Sequence, residues 1–443
     1  AARHLYAVSP WIEARWSVHL DDAPGIGPSG RRVIKTHMPT PLLPIAPDAH
    51  YVYVTRHPVA CFASSVDFVR MLLGPLCPDL PDLVDWFCSD RMWWGPWPAH
   101  VAGWWELAQS RPNVLFLHYE ELRADLPAAI DRVAAHLDVA LLPDERAAVV
   151  EKSSFAYMQA NEELFEMSPP TPVQADESRF FHSARSARDV FVATQMKCGT
   201  TWMQQLVYEV LSRGRGDLSD PAARHLYAVS PWIEARWSVH LDDAPGIGPS
   251  GRRVIKTHMP TRLLPIARDA RYVYVTRHPV ACFASCADFV GMLMGPVSPS
   301  RERLLAWFCS ERMWWGPWPD HVDGWWRAAQ SHRNVLFVHF EEMKADLAAV
   351  VDRVADFLGE PLSAEERAVV LQKSGFDFMK VHEERFTMAP PTPFQDGGSF
   401  LRSGRTDRHA DAAAAESERI LAFCRERLRG AAYPAARFYP DLA

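Results

Sequence analysis

A short polar segment between an apolar run and a helix-like run carries the strongest chemical signal in this chain of 443 residues. Its residues are Lys197, Cys198, Gly199, Thr200, Thr201 and Trp202. The glycine lets the backbone turn tightly, and the free N–H groups and dipole of a new helix favour a bound phosphate. The lysine adds positive charge and the threonines add hydroxyl donors. The segment lacks the G-x-x-x-x-G-K-[ST] pattern of a Walker A loop, and the alternative interpretation is a helix start capped by threonine.

A second polar segment, Lys256-Thr257-His258, ends the next apolar run along the chain. A lone histidine is more often structural. Because His258 stands two residues from a lysine at a strand end, in a chain with a phosphate loop, it is a candidate general base.

Two further basic segments could bind an anion. Arg277 follows a third apolar run, and Ser285 stands eight residues later. An arginine with a hydroxyl suits a second phosphate, although an ordinary strand-end arginine is the alternative. Near the end of the chain, Phe400–Arg405 (FLRSGR) could close over an anion. Basic loops are, however, commonly only solvated.

Strand-like and helix-like runs alternate around these segments. The predicted strands are Asp189–Ala193, Arg253–Lys256, Tyr272–Thr276 and Asn334–His339. The predicted helices are Trp202–Leu211, Pro279 to about Met294, Val322–Gln330, Glu341–Leu358, Glu365–Gln372 and Ala412–Leu428. The alternation predicts an α/β fold, a P-loop-like three-layer sandwich with a mainly parallel central sheet. Ligands bind such sheets at the carboxyl ends of the strands, which is where the polar segments lie.

The chain contains the same unit twice. Residues 1–40 and 222–261 are identical, and the likeness continues at a constant offset, with substitutions, to about Gln174 and Gln395. The offset is the length of a domain, because solenoid repeats have periods of roughly 20–50 residues. We therefore expect the sandwich twice, in domains 1–175 and 176–443.

Composition excludes several classes of function. A net charge of −7 gives no reason to expect nucleic acid or an anionic membrane as a partner. No cysteine or histidine spacing resembles a zinc site, so no metal is expected. The eight cysteines are expected to be buried and reduced. No apolar run approaches the roughly 18–20 residues that span a membrane, and no signal peptide is visible, which favours a cytoplasmic protein.

Together and in this order, the polar segments resemble the cytosolic sulfotransferase family. The family's P-K-S-G-T-T-W loop, its K-T-H, its arginine and serine eight residues apart, and its F-x-R-K-G are similar to Met196–Trp202, Lys256–His258, Arg277 with Ser285, and Phe400–Gly404. The resemblance covers essentially all of residues 176–443.

The resemblance implies transfer of a sulfuryl group from 3′-phosphoadenosine 5′-phosphosulfate (PAPS) to a hydroxyl or amine of a small acceptor, leaving PAP. It implies that Lys197 contacts the 5′-phosphate and the leaving oxygen, that His258 takes the acceptor's proton, and that Lys256 steadies the sulfuryl oxygens. The implied donor-binding residues are Lys197, Cys198, Gly199, Thr200, Thr201 and Trp202 in the loop, Arg277, Ser285, Arg402, Ser403 and Gly404 for the 3′-phosphate, and Ser374, Phe376 and Met379 for adenine.

The chain departs from the family's pattern at three points. Cys198 replaces a serine, a mild change if the backbone N–H binds the ligand, or else a source of an oxidisable thiolate beside Lys197. Ser403 replaces a lysine, which removes a charge. The family's K-x-x-x-T-V dimer segment has no counterpart after Gly404. Two alternatives therefore stay open: a PAPS- or PAP-binding pseudoenzyme without transfer activity, and a P-loop phosphotransferase, which would need a magnesium-binding carboxylate and a Walker lysine.

The first copy carries an incomplete set of site residues. It keeps Lys35, His37, Arg56 and Ser64, but no strand or phosphosulfate loop precedes them in the sequence. His182 stands where the second copy has Arg402. The favoured interpretation is a fragment of a tandem enzyme. The alternatives are a non-catalytic remnant packed on the second copy and a circular permutant completed by the loop at Lys197. We expect two folds but one enzyme.

Overall fold

The computed structural model describes residues 5–13, 23–27, 29–165, 188–218, 225–234, 244–264, 266–387 and 414–443. The chain divides into two compact units, one formed mainly by residues up to Met167 and the other mainly by residues from Ser168 onward. The short segment Leu293–Ser298 groups with the first unit. Each unit is described below by itself.

Both units contain a parallel sheet. In the first unit, β1 (Tyr51–Thr55) pairs with β2 (Val114–His118), with Tyr51 opposite Val114. The second unit has four strands, β3 (Asp189–Thr194), β4 (Arg253–Thr257), β5 (Arg271–Thr276) and β6 (Val335–His339), in the order β4-β3-β5-β6. All three of its pairings are parallel, so the polar segments that follow β3, β4 and β5 meet at one edge of the sheet.

Helices flank the sheets in both units. The α-helices of the first are α1 (Leu5–Val8), α2 (Pro58–Leu73), α3 (Leu80–Phe87), α4 (Trp97–Ser110), α5 (Tyr119–Ala124), α6 (Leu126–His136), α7 (Pro143–Lys152) and α8 (Phe155–Ala160). Those that follow are α9 (Thr200–Ser212), α10 (Leu226–Val229), α11 (Pro279–Met294), α12 (Arg301–Phe308), α13 (Trp318–Ser331), α14 (Phe340–Ala345), α15 (Leu347–Leu358), α16 (Ala364–Lys373), α17 (Phe376–Val381), α18 (Ala414–Arg427) and α19 (Ala435–Phe438). Short 3-10 helices span Thr40–Leu42, Gly74–Leu76, Glu162–Leu164, Gly295–Val297, Glu383–Arg385 and Pro440–Leu442.

Strand β3 organises the second unit. Every residue from Asp189 to Thr194 is buried, because β4 and β5 lie on either side and α9 packs on the sheet. The apolar side chains of β3, such as Val190 and Val192, join the core cluster that also includes Leu206 and Val210 of α9. A strand buried on both faces explains its continuous apolar sequence.

The first unit has no counterpart of β3 and α9 among its described residues. The segment 32–36, equivalent to β4, forms no strand there. Its apolar residues and those of β1 are exposed by 40–53% (Val33, Ile34, Val52 and Val54), whereas the equivalents in the second unit are fully buried (Val254, Ile255, Val273 and Val275). Among the described residues, no strand covers the first unit's sheet on the side where β3 lies in the second.

The prediction of an α/β fold is confirmed, and the four strands begin within one residue of their predicted positions. One helix prediction was wrong. The run Glu341–Leu358 is two helices, because Asp346 ends α14 and its carboxylate Oδ1 accepts a hydrogen bond of 2.9 Å from Ala349 N at the start of α15.

The expectation about long apolar runs also needs correction. Pro279–Val297 is 19 residues long and apolar enough to cross a membrane by length and composition, and 56% of its most apolar window is buried inside the structure. That burial is typical of a core helix. All eight cysteines are free thiols, but Cys88 is exposed, and Cys61 and Cys309 are half-buried rather than buried.

Candidate functional site

The loop between β3 and α9 has the shape of an anion cradle. Lys197 and Gly199 have positive φ angles of 63° and 107°. A Cβ atom at Gly199 would lie 2.8 Å from the ring of Phe340, so a larger residue would not fit. Gly199 is the N-cap of α9 and makes no side-chain capping bond, which disfavours the interpretation of a threonine-capped helix start. The first N–H groups of α9 are thus aimed at a possible ligand.

Lys197 lies half-buried in this loop. Its Nζ atom is 4.5 Å from the ring centre of Phe289 on α11. Burial lowers the pKa of Lys197 to about 8, with a smaller contribution from the nearby Arg277 and an opposing one from neighbouring thiols. A bound phosphate would raise the pKa of Lys197 again, because an anion close by favours the ammonium.

His258 is buried at the end of β4 and is held by the end of β3. Its Nδ1 atom lies 2.9 Å from the backbone oxygen of Thr194 and 3.2 Å from the hydroxyl of the same residue. A carbonyl oxygen only accepts, so Nδ1 carries the proton and Nε2 has the free lone pair. Burial, then the charge of Lys256, hold the pKa of His258 well below its usual range. The ring is therefore neutral and has an unprotonated nitrogen near pH 7.

Buried groups hold the backbone around His258 in place. Glu234 Oε1 accepts hydrogen bonds from His258 N and from Thr257 Oγ1, the latter at 2.8 Å. On the other side, His321 Nε2 lies 2.9 Å from His258 O, and its Nδ1 lies 2.9 Å from Tyr274 OH. Burial raises the pKa of Glu234 to about 7.

Lys256 is connected to the donor loop through Tyr227. Its Nζ atom donates to Tyr227 OH at 3.0 Å and lies 3.6 Å from the ring centre of Trp232. The side chain of Tyr227 also lies beside Thr201 of the loop segment, which opposes the rise that burial causes in the pKa of Tyr227. Burial lowers the pKa of Lys256 well below its usual value, although Glu234 opposes that shift. The hydroxyl group of Tyr227 therefore lies between the Lys256 ammonium and the loop.

The predicted adenine residues lie beside the start of α9. Trp202 Nε1 donates to the backbone oxygen of Ser374 at 2.7 Å. The Ser374 hydroxyl oxygen is buried and has no hydrogen-bond partner within the described part of the chain, which is the kind of group that a ligand's polar edge satisfies. Phe376 is half-buried next to it, with Lys344 Nζ 5.6 Å from its ring centre. Met379 belongs instead to the hydrophobic core cluster.

The predicted 3′-phosphate residues are only partly described. Arg277 follows β5 directly, is buried, and lies with its guanidinium carbon 4.4 Å from the ring centre of Phe340. Ser285 is half-buried on α11. The positions of Arg402, Ser403 and Gly404 lie outside the described residues.

A cavity lies on the His258 side of the site. Its volume is about 420 Å³ and its lining includes Arg262, Met313, Trp315 and Asp320. The ring centre of Trp315 is 4.7 Å from that of His258, so one side chain contacts both the cavity and the base candidate. Among the described residues there is no group of three or more histidine, cysteine or carboxylate side chains that could hold a metal ion.

In the first unit, His37 has the same supporting hydrogen bonds to its backbone region as His258 has in the second. Among the described residues, it lacks the contact to a strand that leads into a donor loop. His37 O lies 3.0 Å from His100 Nε2, and Glu13 Oε1 accepts from Thr36 Oγ1 at 2.8 Å, as their equivalents do in the second unit. His37 Nδ1, however, is buried without a hydrogen-bond partner within the described residues, and no described strand of this unit corresponds to the one that carries Thr194.

The described residues of the first unit include no donor loop beside its other predicted site residues. Lys35 is half-buried, and burial lowers its pKa to about 8. Arg56 lies 4.6 Å from the ring of Tyr119, and Ser64 is exposed. His182 lies outside the described residues.

Three residues that hold the site were not predicted from the sequence. Thr194 lay one residue beyond the predicted strand Asp189–Ala193, while Glu234 and Tyr227 fell between motifs. Glu234 and Tyr227 lie inside the stretch of forty identical residues, so the repeat did not distinguish them from their neighbours. A lone carboxylate between two tryptophans, Trp232 and Trp237, is a weak signal that could have marked Glu234.

A parallel α/β sheet whose strand ends bring together a helix N-terminus, a lysine and a buried neutral histidine defines a group-transfer protein that binds a phosphate-bearing ligand. Comparison with known protein families identifies the class more narrowly. The family model described as "Sulfotransferase domain" matches residues 2–186 and again residues 187–431. This chain belongs to that sulfotransferase family, and the double match agrees with the internal repeat.

Named relatives support the same family. The chain is 29% identical over 256 residues to 3-alpha-hydroxysteroid sulfotransferase of Cavia porcellus, covering 56% of this chain and 86% of the relative. It is 31% identical over 252 residues to Sulfotransferase 2B1 of Mus musculus, covering 55% and 72%. The predicted enzyme class is therefore confirmed, and this family takes its sulfuryl group from PAPS.

Two solved structures are also similar. They are retinol dehydratase in complex with androsterone and inactive cofactor PAP (TM-score 0.48, 20% identity, 59% of this chain and 88% of that chain) and mouse sulfotransferase SULT7A1 complexed with PAP (TM-score 0.46, 21% identity, 61% and 92%). Because both TM-scores are below 0.5, the family assignment rests on the sequence relatives.

Proposed function

We propose that this protein transfers the sulfuryl group of PAPS to a hydroxyl or amine of a small acceptor at one site in the second unit. The observation that carries the proposal is the bond between His258 Nδ1 and Thr194 O. It joins the base candidate to the strand that ends in the donor loop, so both halves of the reaction share one sheet edge.

The described residues suit the donor. Gly199 leaves room for close backbone approach, and the N-terminus of α9 and Lys197 provide donors and charge for the 5′-phosphate. Trp202 beside Ser374 O offers a ring face for adenine. For Arg402, Ser403 and Gly404, the proposal rests on the sequence motif alone. When bound, PAPS supplies an activated sulfuryl group.

His258 acts as the general base. Its neutral imidazole takes the proton from the acceptor through Nε2, because Nδ1 is committed to Thr194 O. A positioned base typically contributes about 10²–10⁴ in rate. Lys197 stabilises the negative charge that grows on the leaving phosphate oxygen. Lys256, held by Tyr227, donates to the sulfuryl oxygens.

The acceptor enters from the cavity beside Trp315. Trp315 lines the cavity and its ring centre lies 4.7 Å from that of His258, which supports the cavity as the side from which the acceptor reaches the base. Steroids appear in the names of relatives, and we propose only the wider class of small hydroxyl or amine acceptors for this chain. We further propose that the protein is cytoplasmic and acts without nucleic acid or membrane as a partner.

A transfer assay on the full chain tests the proposal. The protein is incubated with PAPS carrying a radioactive sulfate and a mixed panel of phenols, alcohols and amines. We expect labelled product from the parent and a loss of about 10²–10³ in Lys197→Ala, since one oxyanion donor is worth that much. Lys35→Ala, in the first unit, should leave transfer unchanged. Nucleotide binding without any transfer would instead support the pseudoenzyme.

A further inference from the structure

Three thiols meet directly beneath the donor loop. Cys198 lies in the loop, and Cys282 and Cys286 lie one turn apart on α11. The sulfur atoms of Cys198 and Cys282 are 3.6 Å apart. Cys282 Sγ is 3.2 Å and Cys286 Sγ 3.9 Å from the backbone oxygen of Met196. All three side chains are buried.

The cluster belongs to the unit that has the donor loop. The first unit keeps Cys61 at the position of Cys282, but it has Ser65 at the position of Cys286. The first unit therefore cannot form the same three-cysteine cluster, even though the surrounding helix is nearly identical in sequence.

Cations and neighbouring thiols favour one thiolate in the cluster. Burial opposes ionisation of Cys282, but hydrogen bonds from Cys198 and Cys286, and the charges of Arg277 and Lys197, bring the pKa of Cys282 well below its usual value. Burial raises the pKa of Cys198 and of Cys286. A thiolate is the nucleophilic form of cysteine, so the cluster combines an attacking sulfur with a partner in contact.

We propose that Cys198 and Cys282 form a reversible disulfide under peroxide and that this bond disables the donor loop. The inference rests on the proposed function, since the loop matters only if it binds the donor. The Cys282 thiolate attacks hydrogen peroxide, giving a sulfenic acid and, after protonation, water. Cys198 then attacks that sulfur, the S–S bond forms and a second water leaves, so two thiols lose two electrons to one peroxide.

A disulfide between Cys198 and Cys282 would distort the donor loop, because the two sulfur atoms must move closer together. The two sulfurs are 3.6 Å apart, and a disulfide requires about 2.0 Å. The loop has little freedom to follow, since Lys197 and Gly199 already have positive φ angles and Gly199 lies against Phe340. Lys197 adjoins Cys198 in the chain and would move with it.

Cys286 provides a route back. It contacts Cys282, and a third thiol beside a disulfide can attack it and start exchange with an external dithiol reductant. Burial of the cluster favours a small oxidant such as hydrogen peroxide. A nucleotide seated on the loop should slow the oxidation, because it holds the loop in its reduced geometry.

The test uses the full chain treated with hydrogen peroxide, with and without PAP, followed by alkylation of remaining thiols. Mass spectrometry should find the Cys198 peptide joined to the Cys282 peptide. PAP affinity measured by calorimetry should fall about tenfold to hundredfold, the loss of one charge-assisted hydrogen bond, and dithiothreitol should restore it. Cys282→Ala should keep the affinity of the untreated parent after peroxide, whereas Cys309→Ser, outside the cluster, should lose it like the parent.

The proposal would be overturned by finding no joined peptide in the oxidised parent, or a joined peptide with unchanged PAP affinity. Equal peroxide sensitivity of Cys282→Ala and the parent would do so as well. The peptide and binding measurements do not depend on turnover. A protein that forms the bond and loses PAP but never transfers sulfate would therefore count against the proposed function and not against the disulfide.

Discussion

The Nδ1 atom of His258 lies 2.9 Å from the backbone oxygen of Thr194. This bond exists only because β3 stands beside β4, with Ala193 opposite Thr257. In the first unit the matching His37 Nδ1 is buried without a partner among the described residues. His258 and His37 thus have equivalent Glu and His neighbours. Of the two, only His258 contacts a described strand that leads into the donor loop.

The titration of Lys197 should contribute an alkaline limb to the pH dependence of transfer. Burial places its pKa at about 8 in the free protein, so the ammonium that binds the donor is present below this pH and is lost as pH rises through it. We expect kcat/KM for PAPS to fall above about pH 8, because this ratio reports groups of the free enzyme. The lowered pKa of His258 predicts no loss of base from protonation between pH 6 and 7, a window set by its ordinary value of about 6.5.

Lys197→Arg provides the control for this assignment. Arginine keeps its charge throughout the accessible range, so the alkaline fall near pH 8 should vanish even if the absolute rate is lower. An unchanged alkaline limb in Lys197→Arg would assign the titration to another group.

Glu234 should be a positioning residue for the base. Glu234→Ala leaves the backbone N–H of His258 and the Thr257 hydroxyl without their shared acceptor. A buried unsatisfied group costs about 1–3 kcal/mol, and we expect kcat to fall with little change in PAP affinity. Glu234→Gln keeps a carbonyl oxygen and should recover most of the rate.

The equivalent variant in the first unit is a matched control. Glu13 Oε1 accepts a hydrogen bond from Thr36 Oγ1 in the same way. Glu13→Ala therefore removes the equivalent hydrogen-bond acceptor from the first unit. Transfer should be unaffected by it. A loss equal to that of Glu234→Ala would show that the effect comes from folding rather than from the site.

The chain should bind one nucleotide. The first unit has no described counterpart of the loop or of α9, and its β1 residues Val52 and Val54 are exposed where their equivalents are buried. Calorimetric titration with PAP should therefore give a stoichiometry of about one, lost in Lys197→Ala. Two equivalents of PAP per chain would mean that the first unit also has a donor site.

The sequence predicted the strands and the order of the motifs well, because each motif follows a short apolar run. The run DVFVA predicted β3, and the turn with Gly199 predicted that a helix follows, although α9 begins at Thr200, two residues before the predicted Trp202. Local pattern did not reveal the break at Asp346, since the helical periodicity continues across it and only the capping bond to Ala349 N marks the end.

The residues that support the site were harder to predict. Glu234, Tyr227 and Thr194 act through contacts across 23 to 64 positions of the chain, and such contacts have no spacing rule. The cysteine cluster is a similar case. Cys198 was noted as a possible thiolate beside Lys197, but its partner Cys282 is 84 residues away and only the packing of α11 brings it near.

The pair of variants His258→Ala and His37→Ala tests the central claim most directly. Transfer of labelled sulfate from PAPS and PAP affinity are measured for both in the full chain. We predict that His258→Ala loses about 10²–10⁴ in rate with PAP affinity retained, and that His37→Ala matches the parent in both. Transfer by His258→Ala at near the parent rate would contradict the assignment of His258 as the base.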